Sequence, residues 1–405
     1  MAAGSPACYT RAVATSKLDP VEMNLPSHFV ASDFNHYYAA VCDRLMSHGQ
    51  ETSPRGLKTK ELHPTTAYIL EPRQRLITCY GRVLNLPFAL VEALQILGGD
   101  NDPQMLRFYN SGIIDIQGDG PRGTPGWEEG VMRFNAAYGE RLRAYEAGTF
   151  LDGPHRIDQL GHVIESLRRD PDSRQASIVL SHPYYDHYSR VTFDRACNVY
   201  AHPMIREGKL DWMQVIRSND AIWGIPYNAM QWSTVMEWVA NTLDVEMGSM
   251  FIIQDSFHVY ENKFQDCEDV RHFNGYVLME EELARMRVGD ELIAEIMLQE
   301  LRIRGGVRYG AADIAGLDGK FGRYWSSVLQ TLHSFAWFKR GGDDAAYEML
   351  PEYQEFRYPL LRMYCYYRWN KNLERYNDLL EKTIKELVAT GAMELEDAGK
   401  WLGLE

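Results

Sequence analysis

The sequence predicts an α+β fold followed by a helical extension, and three observations carry that expectation. The central third is rich in short apolar runs separated by turns. Helix-prone segments with apolar residues at helical spacing lie among them. After about Met279 the pattern changes to long amphipathic stretches.

Residues 1–27 read as disordered or extended. The opening MAAGSPACYTRAVATSK has no long apolar run after its charges, which makes it a poor secretory signal. The polar stretch at 47–64 (SHGQETSPRGLKTKELHP) reads as a long loop, and DGPRGTPGW at 119–127 as another, rich in Gly and Pro. FALVEALQIL at 88–97 is apolar and helix-prone, with one acid, Glu92, in its middle. ASIVL at 176–180 predicts a short strand. The runs at 199–205 and 209–216 flank Arg206-Glu207-Gly208 and predict a hairpin. NAMQWSTVMEWVANTL at 228–243 predicts a helix, and SMFIIQDSFHVY at 249–260 predicts one strand. Three helices follow, at 280–304, 324–340 and 376–391.

Composition excludes several function classes. The net charge of −14 argues against a protein that grips long nucleic acid, although a local basic pocket for one phosphate remains compatible. No run approaches the roughly 18 apolar residues of a membrane span. The six cysteines are scattered without a CxxC pair, so neither a zinc ribbon nor a redox motif is present, and a reducing cytoplasm fits best.

The chemistry gathers around Cys197, in DRACNVYAHPMIREGKL. A single cysteine is more often a small core hydrophobe than a nucleophile. Twenty positions on, IRSNDAIWGIPYNAMQW packs Arg217, Ser218, Asp220, Gly224, Pro226 and Asn228 together. Upstream, DPDSRQASIVL carries Arg174. Downstream, QDSFHVYEN carries His258 and Tyr260. Each has a plain reading by itself: Arg174 as a surface charge, Asn228 as a helix N-cap, His258 as a satisfied strand residue. Glu92 has an expensive one, because a buried carboxylate is costly when unpaired.

The ordered set DPDSR (170–174), Cys197, GKL (208–210), RSNDAIWGIPYN (217–228) and HVY (258–260) resembles the thymidylate synthases and the related pyrimidine nucleotide hydroxymethylases. LVEALQILGGD, NSGIIDI and AAYGERLR extend the likeness upstream, so that it covers roughly residues 55–265. The resemblance implies a mixed sheet with packed helices, arranged as a flexible tail (1–30), a catalytic domain (31–275) and a helical extension (276–405). It implies one-carbon transfer from 5,10-methylenetetrahydrofolate to carbon 5 of a pyrimidine nucleoside monophosphate, in a homodimer, without a metal.

It also implies roles. Cys197 is the nucleophile, since a thiolate adding to carbon 6 turns carbon 5 into a nucleophile, with the cation of Arg217 beside it. Arg217, Ser218 and Arg174 bind phosphate, Arg174 across the dimer interface. Arg fits phosphate because its planar fork donates two hydrogen bonds at once. Arg55, 37 residues before Glu92, matches a mobile phosphate-loop arginine or is a solvated loop charge. Asn228 reads the base, because an amide both donates and accepts. His258 and Tyr260 contact ribose. Glu92 and Tyr138 serve the proton network. Asp220 contacts the folate pterin.

The chain also departs from the family pattern. An active-site His becomes Asn198, and the second Arg after DPxSR becomes Gln175. Two aromatic positions on the folate side become Ile114 and Gln117. HPYYDHYS is inserted between Arg174 and Cys197, and more than a hundred residues stand where a short closing tail would be. Loss of an aromatic wall and a closing tail favours water over hydride in the last step, hence a hydroxymethyl product, probing the uracil edge through Asn228. A methylating thymidylate synthase and a non-catalytic relic of the fold are the alternatives. A cysteine hydrolase would have to pair Cys197 with His182, His187 or His202, without a matching motif.

Overall fold

Alternation of buried and accessible residues builds the central hairpin. In KLDWMQVI, Leu210, Trp212, Gln214 and Ile216 point inward, as a period of two requires. The turn that reverses the chain holds Glu207 at φ 51° and Gly208 at φ 78°. Two successive left-handed residues make the tight turn whose twist matches that of paired strands, and glycine takes the second position without strain.

The computed structural model describes residues 27–77, 79, 84–114, 134–150, 153–188, 194–272, 284–309 and 311–340, with Lys385, Val388 and Ala389. The strands are β1 (Ser27–Ala31), β2 (Gln50–Thr52), β3 (Thr59–Leu62), β4 (Thr65–Ile69), β5 (Tyr145–Phe150), β6 (Gly153–Ile157), β7 (Ile178–Val179), β8 (Asn198–Arg206), β9 (Lys209–Ile216), β10 (Asn219–Asp220), β11 (Glu246–Gln254) and β12 (Phe257–Tyr260). The helices are α1 (Phe34–His48), α2 (Leu86–Gly98), α3 (Pro103–Tyr109), α4 (Tyr138–Arg143), α5 (Gln159–Arg169), α6 (Ile225–Leu243), α7 (Phe264–His272), α8 (Asp290–Arg304), α9 (Ala311–Phe321) and α10 (Arg323–Lys339).

A six-stranded mixed sheet runs β1-β4-β11-β9-β8-β7, and a four-stranded sheet runs β10-β12-β3-β2. The architecture is the expected α+β. Helices α2 and α6 pack together at the centre, with Phe88 edge-on to Tyr227 at 5.3 Å. Apolar positions at helical spacing bury nearly all of α6. The later helices are tied to this core. α8 and α10 lie against α2. Arg75 pairs with Glu237 of α6 at 2.6 Å, both buried, and its guanidinium lies 5.4 Å from the Tyr324 ring of α10.

The outer face of the large sheet carries an apolar row. Val30, Tyr68, Phe251 and Met213 are register partners across β1, β4, β11 and β9. Tyr200 of β8 pairs with Val179 of β7 on the same face. Val30, Tyr68 and Val179 are exposed.

Several sequence expectations change. The stretch 47–64 contains β2 and β3, which pair as an antiparallel ladder. Both are short and polar, so no apolar alternation marks them. The single strand expected at 249–260 is two strands in different sheets, broken at Asp255-Ser256. β1 begins at Ser27, inside the expected tail, because Ser27–Ala31 pairs in parallel with β4. The helix expected from 280 starts at Asp290, after the φ 146° of Gly289. The loop expected at 119–127 lies outside the described residues, as does nearly all of the helix expected at 376–391.

Candidate active site

Cys197 stands one residue before β8, and Arg217 one residue after β9. These adjacent antiparallel strands bring together two residues that are 20 apart in the chain. The Arg217 amide donates to the Cys197 carbonyl at 2.9 Å. Its Nε donates to the Ala196 carbonyl at 2.8 Å, and Nη2 lies 3.9 Å from Cys197 Sγ. Burial pushes the thiol up, Arg217 opposes this, and Asp194, Asp186 and Asp220 push it further up.

Tyr138, at the start of α4, reaches the same turn. Its Oη accepts from the amides of both Cys197 and Asn198 at 2.9 Å. Its own proton is thus left for a third group. Burial raises the phenol well above its usual range, so it stays protonated.

Glu92 stands on α2 within reach of Gln231 of α6. Its Oε2 is shielded from solvent and has no hydrogen-bond partner among the described residues. Burial pushes the carboxyl up to about 8, against the pull of the neighbouring Gln231 amide. A carboxyl near that value is largely protonated at neutral pH and still able to exchange its proton.

Asn228 stands in the first turn of α6, fourth from its start. The helix is capped at Gly224, so Asn228 is no N-cap. Its Oδ1 accepts from Asn198 Nδ2 and its Nδ2 donates to Asn219 Oδ1, each at 3.0 Å. A Cβ at Gly224 would sit 2.3 Å from Asn219 Oδ1. Glycine is needed there so that this amide can lie under the turn.

β10 and β12 pair in parallel and set Asp220 beside His258. Asp220 Oδ1 caps the turn by accepting from the amides of Ile222 and Trp223. Its Oδ2 lies 3.9 Å from His258 Nε2. His258 meets Tyr260 edge-on at 5.3 Å, and the Tyr260 hydroxyl accepts from Arg55 Nη2 at 3.1 Å. The loop arginine is therefore joined to the group through β12. Ser218, between Arg217 and Asn219, is half-buried.

Arg174 is set apart. It is exposed, and its backbone hydrogen-bonds the ring of His202, whose position on β8 is on the outer face of the large sheet. The backbone of Ile114 closes a short turn after α3. Gln117 lies outside the described residues. None of His182, His187 and His202 hydrogen-bonds Cys197 among the described residues, so the pair a cysteine hydrolase needs is not formed.

Two contributors had no signal in the sequence. Asp186, from the inserted HPYYDHYS, is buried and accepts from both terminal nitrogens of Arg141 and from the amides of His182 and Ala196. Burial raises its carboxyl, but these donors outweigh it and hold Asp186 below the usual range. The insertion thereby pins Ala196, the residue before Cys197, to α4. The second is the run of buried amides around Asn198, in place of the expected histidine.

Residues 36–296 match the family model described as thymidylate synthase. The chain is 34% identical over 271 residues to a deoxyuridylate hydroxymethyltransferase of Bacillus phage SP01, covering 65% of this chain and 67% of that protein. It is 31% identical over 200 residues to the same-named protein of Pseudomonas phage M6, covering 49% of this chain and 51% of that one. It is 30% identical over 142 residues to a putative thymidylate synthase of Methanosarcina acetivorans, covering 35% of this chain and 60% of that protein. The chain thus spans between half and two thirds of the curated relatives it matches. Among the described residues no helix is long and apolar enough to cross a membrane. The match of the family model over most of the chain, together with these relatives, shows that this protein belongs to the thymidylate synthase family and is a thymidylate synthase-like transferase.

Proposed function

We propose that the protein transfers a one-carbon unit from 5,10-methylenetetrahydrofolate to carbon 5 of a uracil nucleoside monophosphate, through a Cys197 adduct, and releases a hydroxymethyl nucleotide. The reaction balances as nucleotide, methylenetetrahydrofolate and water in, hydroxymethyl nucleotide and tetrahydrofolate out. The observation that carries this reading is Cys197 Sγ at 3.9 Å from Arg217, with Asn228 linked to the adjoining Asn198. Two relatives named deoxyuridylate hydroxymethyltransferase favour the hydroxymethyl product.

Sγ adds to carbon 6, and the displaced electron pair makes carbon 5 nucleophilic. Arg217 favours the thiolate against the burial that opposes it. Tyr138 and the neutral Glu92 move protons around the ring. Asn228 offers the base one donor and one acceptor. Arg217, Ser218 and Arg55 hold the phosphate, and His258 and Tyr260 the ribose.

The folate supplies the one-carbon unit when bound. The residues present fit it: Asp220 Oδ2, which faces His258 at 3.9 Å, is an acceptor, and the exposed Trp223 ring on the adjoining turn, with Lys263 Nζ 5.7 Å from its centroid, offers an aromatic surface. The family resemblance assigns Ile114 and Gln117 to the folate side as well; Gln117 lies outside the described residues. The indole also favours a second reading, the methylating reaction, because an aromatic wall helps to keep water out.

We further propose a homodimer formed through the outer face of the six-stranded sheet. Its row of Val30, Tyr68, Phe251 and Met213, with Tyr200 and Val179 in the neighbouring register, is too apolar to remain solvated. Arg174, beside His202 on that face, then serves the partner's phosphate site. Incubation with methylenetetrahydrofolate and each of dUMP, dCMP, UMP and CMP, followed by mass spectrometry, tests the reading. A hydroxymethyl product from a uracil nucleotide is expected. A methyl product with dihydrofolate, seen as a rise in near-ultraviolet absorbance, would establish the second reading.

A further inference from the structure

Asn228 is the fourth member of an unbroken chain of buried donors and acceptors. Trp212 Nε1 donates to Gln214 Oε1 at 3.0 Å, and Gln214 Nε2 donates to Asn198 Oδ1 at 3.0 Å. Asn198 Nδ2 donates to Asn228 Oδ1, and Asn228 Nδ2 to Asn219 Oδ1, each at 3.0 Å. Asn219 Nδ2 donates to Gln254 Oε1 at 2.6 Å. Gln254 Nε2 ends the run on the hydroxyls of Tyr37 at 2.6 Å and Thr65 at 2.9 Å. All of these except Asn228 are almost wholly buried.

Every amide in the run could be turned over, exchanging its oxygen and nitrogen, if its neighbours turned with it. The two ends decide whether that is possible. The Tyr37 and Thr65 hydroxyls both donate and accept, so that end tolerates either sense. The Trp212 indole only donates. Gln214 must therefore face it with oxygen, which sets Asn198, then Asn228, then Asn219. Reversal would leave at least one buried donor facing another, a mismatch that buried groups do not tolerate.

We infer that Trp212 and Gln214 are positioning residues that select uracil over cytosine by fixing the orientation of the Asn228 amide. The inference rests on the reading of Asn228 as the base contact. With the relay in place, Asn228 keeps one lone pair on Oδ1 and one proton on Nδ2. These suit the uracil edge, whose ring N–H donates and whose carbonyl accepts. The turned-over amide presents them exchanged, which suits the ring nitrogen and amino group of cytosine. Discrimination is thus set two residues away from the contact, on β9.

Two variants test it, each scored by its own ratio of kcat/KM for dUMP to kcat/KM for dCMP with methylenetetrahydrofolate. The ratio is internal to one preparation, so a loss of folded protein cancels. Trp212→Phe removes the donor-only end and frees the relay to take either sense. Its ratio should fall by roughly tenfold or more. Gln214→Glu keeps the shape. When protonated it donates as Gln214 does, and when ionised it only accepts, forcing Asn198 and Asn228 over. Burial at this position, 1% exposed in Gln214, should push the introduced carboxyl well above the ordinary range, so its ratio should fall as pH rises from about 6 to about 9, a dependence that loosened packing would not produce. Ratios within about threefold of wild type in both variants, at both pH values, would overturn the inference. Asn228→Ala separates the two ideas. If it leaves the ratio intact, Asn228 does not read the base and the underlying reading fails. If it erases the ratio while the other variants preserve it, only the relay fails.

Discussion

Replacing Asp186 by alanine isolates the part that the inserted segment plays beneath Cys197. The carboxylate accepts four hydrogen bonds, two from Arg141 and one each from the amides of His182 and Ala196. Asp186 and Arg141 are 2% and 6% exposed, so solvent cannot replace what is removed. Arg141 keeps the carbonyls of Leu180 and Asn135 but loses its counter-charge. Breaking a buried pair on one side costs about 3–5 kcal/mol, a large share of the roughly 5–15 kcal/mol that holds a domain together. Asp186→Ala should lose about that much stability in urea unfolding at neutral pH. Below pH about 4 the difference should shrink. The folded carboxyl lies below its ordinary value. Its contribution is therefore complete above the ordinary value and disappears as pH falls through the lower folded one. The freed Ala196 amide should also loosen the turn, so alkylation of Cys197 by iodoacetamide should change in rate. A loss below about 1 kcal/mol, with an unchanged alkylation rate, would refute the reasoning.

Glu92→Gln should lower turnover by about 10²–10⁴-fold and remove an alkaline limb near pH 8 from the wild-type kcat profile, since the protonated acid is the form burial favours. The same variant should be the more stable protein at high pH, because the raised carboxyl makes wild-type folding less favourable as pH climbs from about 4 toward 8; urea curves at two pH values decide it. Arg217→Ala should raise the pH midpoint of Cys197 alkylation, because it removes the one charge that opposes the upward push on the thiol. Mixed Arg174→Ala and Cys197→Ser subunits should recover part of the activity that each lacks alone, and no recovery after subunit exchange would count against a shared site.

The candidate site residues were more legible than the residues that hold them. Cys197, Arg217 and Asn228 sit in runs whose order marks them, and β8 and β9 show their alternation plainly. β2 and β3 escaped because strands of three and four residues, with Leu62 the one apolar side chain between them, leave no apolar alternation. The break between β11 and β12 escaped because Asp255-Ser256 carries neither Gly nor Pro. Asp186 could not be singled out, since nothing in HPYYDH distinguishes an acid that folds under from one that faces water. Asn198 was visible as a missing histidine. Its partners Gln214, Asn219 and Gln254 meet only once three strands are assembled. Long-range polar pairing of this kind has no signature in local periodicity.

The central claim is that Cys197 opens the pyrimidine ring system to substitution at carbon 5. Tritium release from the 5-position of labelled dUMP, in the presence of methylenetetrahydrofolate, reads that step directly, because the hydrogen leaves only after carbon 5 has been made nucleophilic and substituted. Release is expected from the wild-type protein and none from Cys197→Ser, with dUMP binding by isothermal titration largely retained in the variant. Release at the wild-type rate by Cys197→Ser would contradict it.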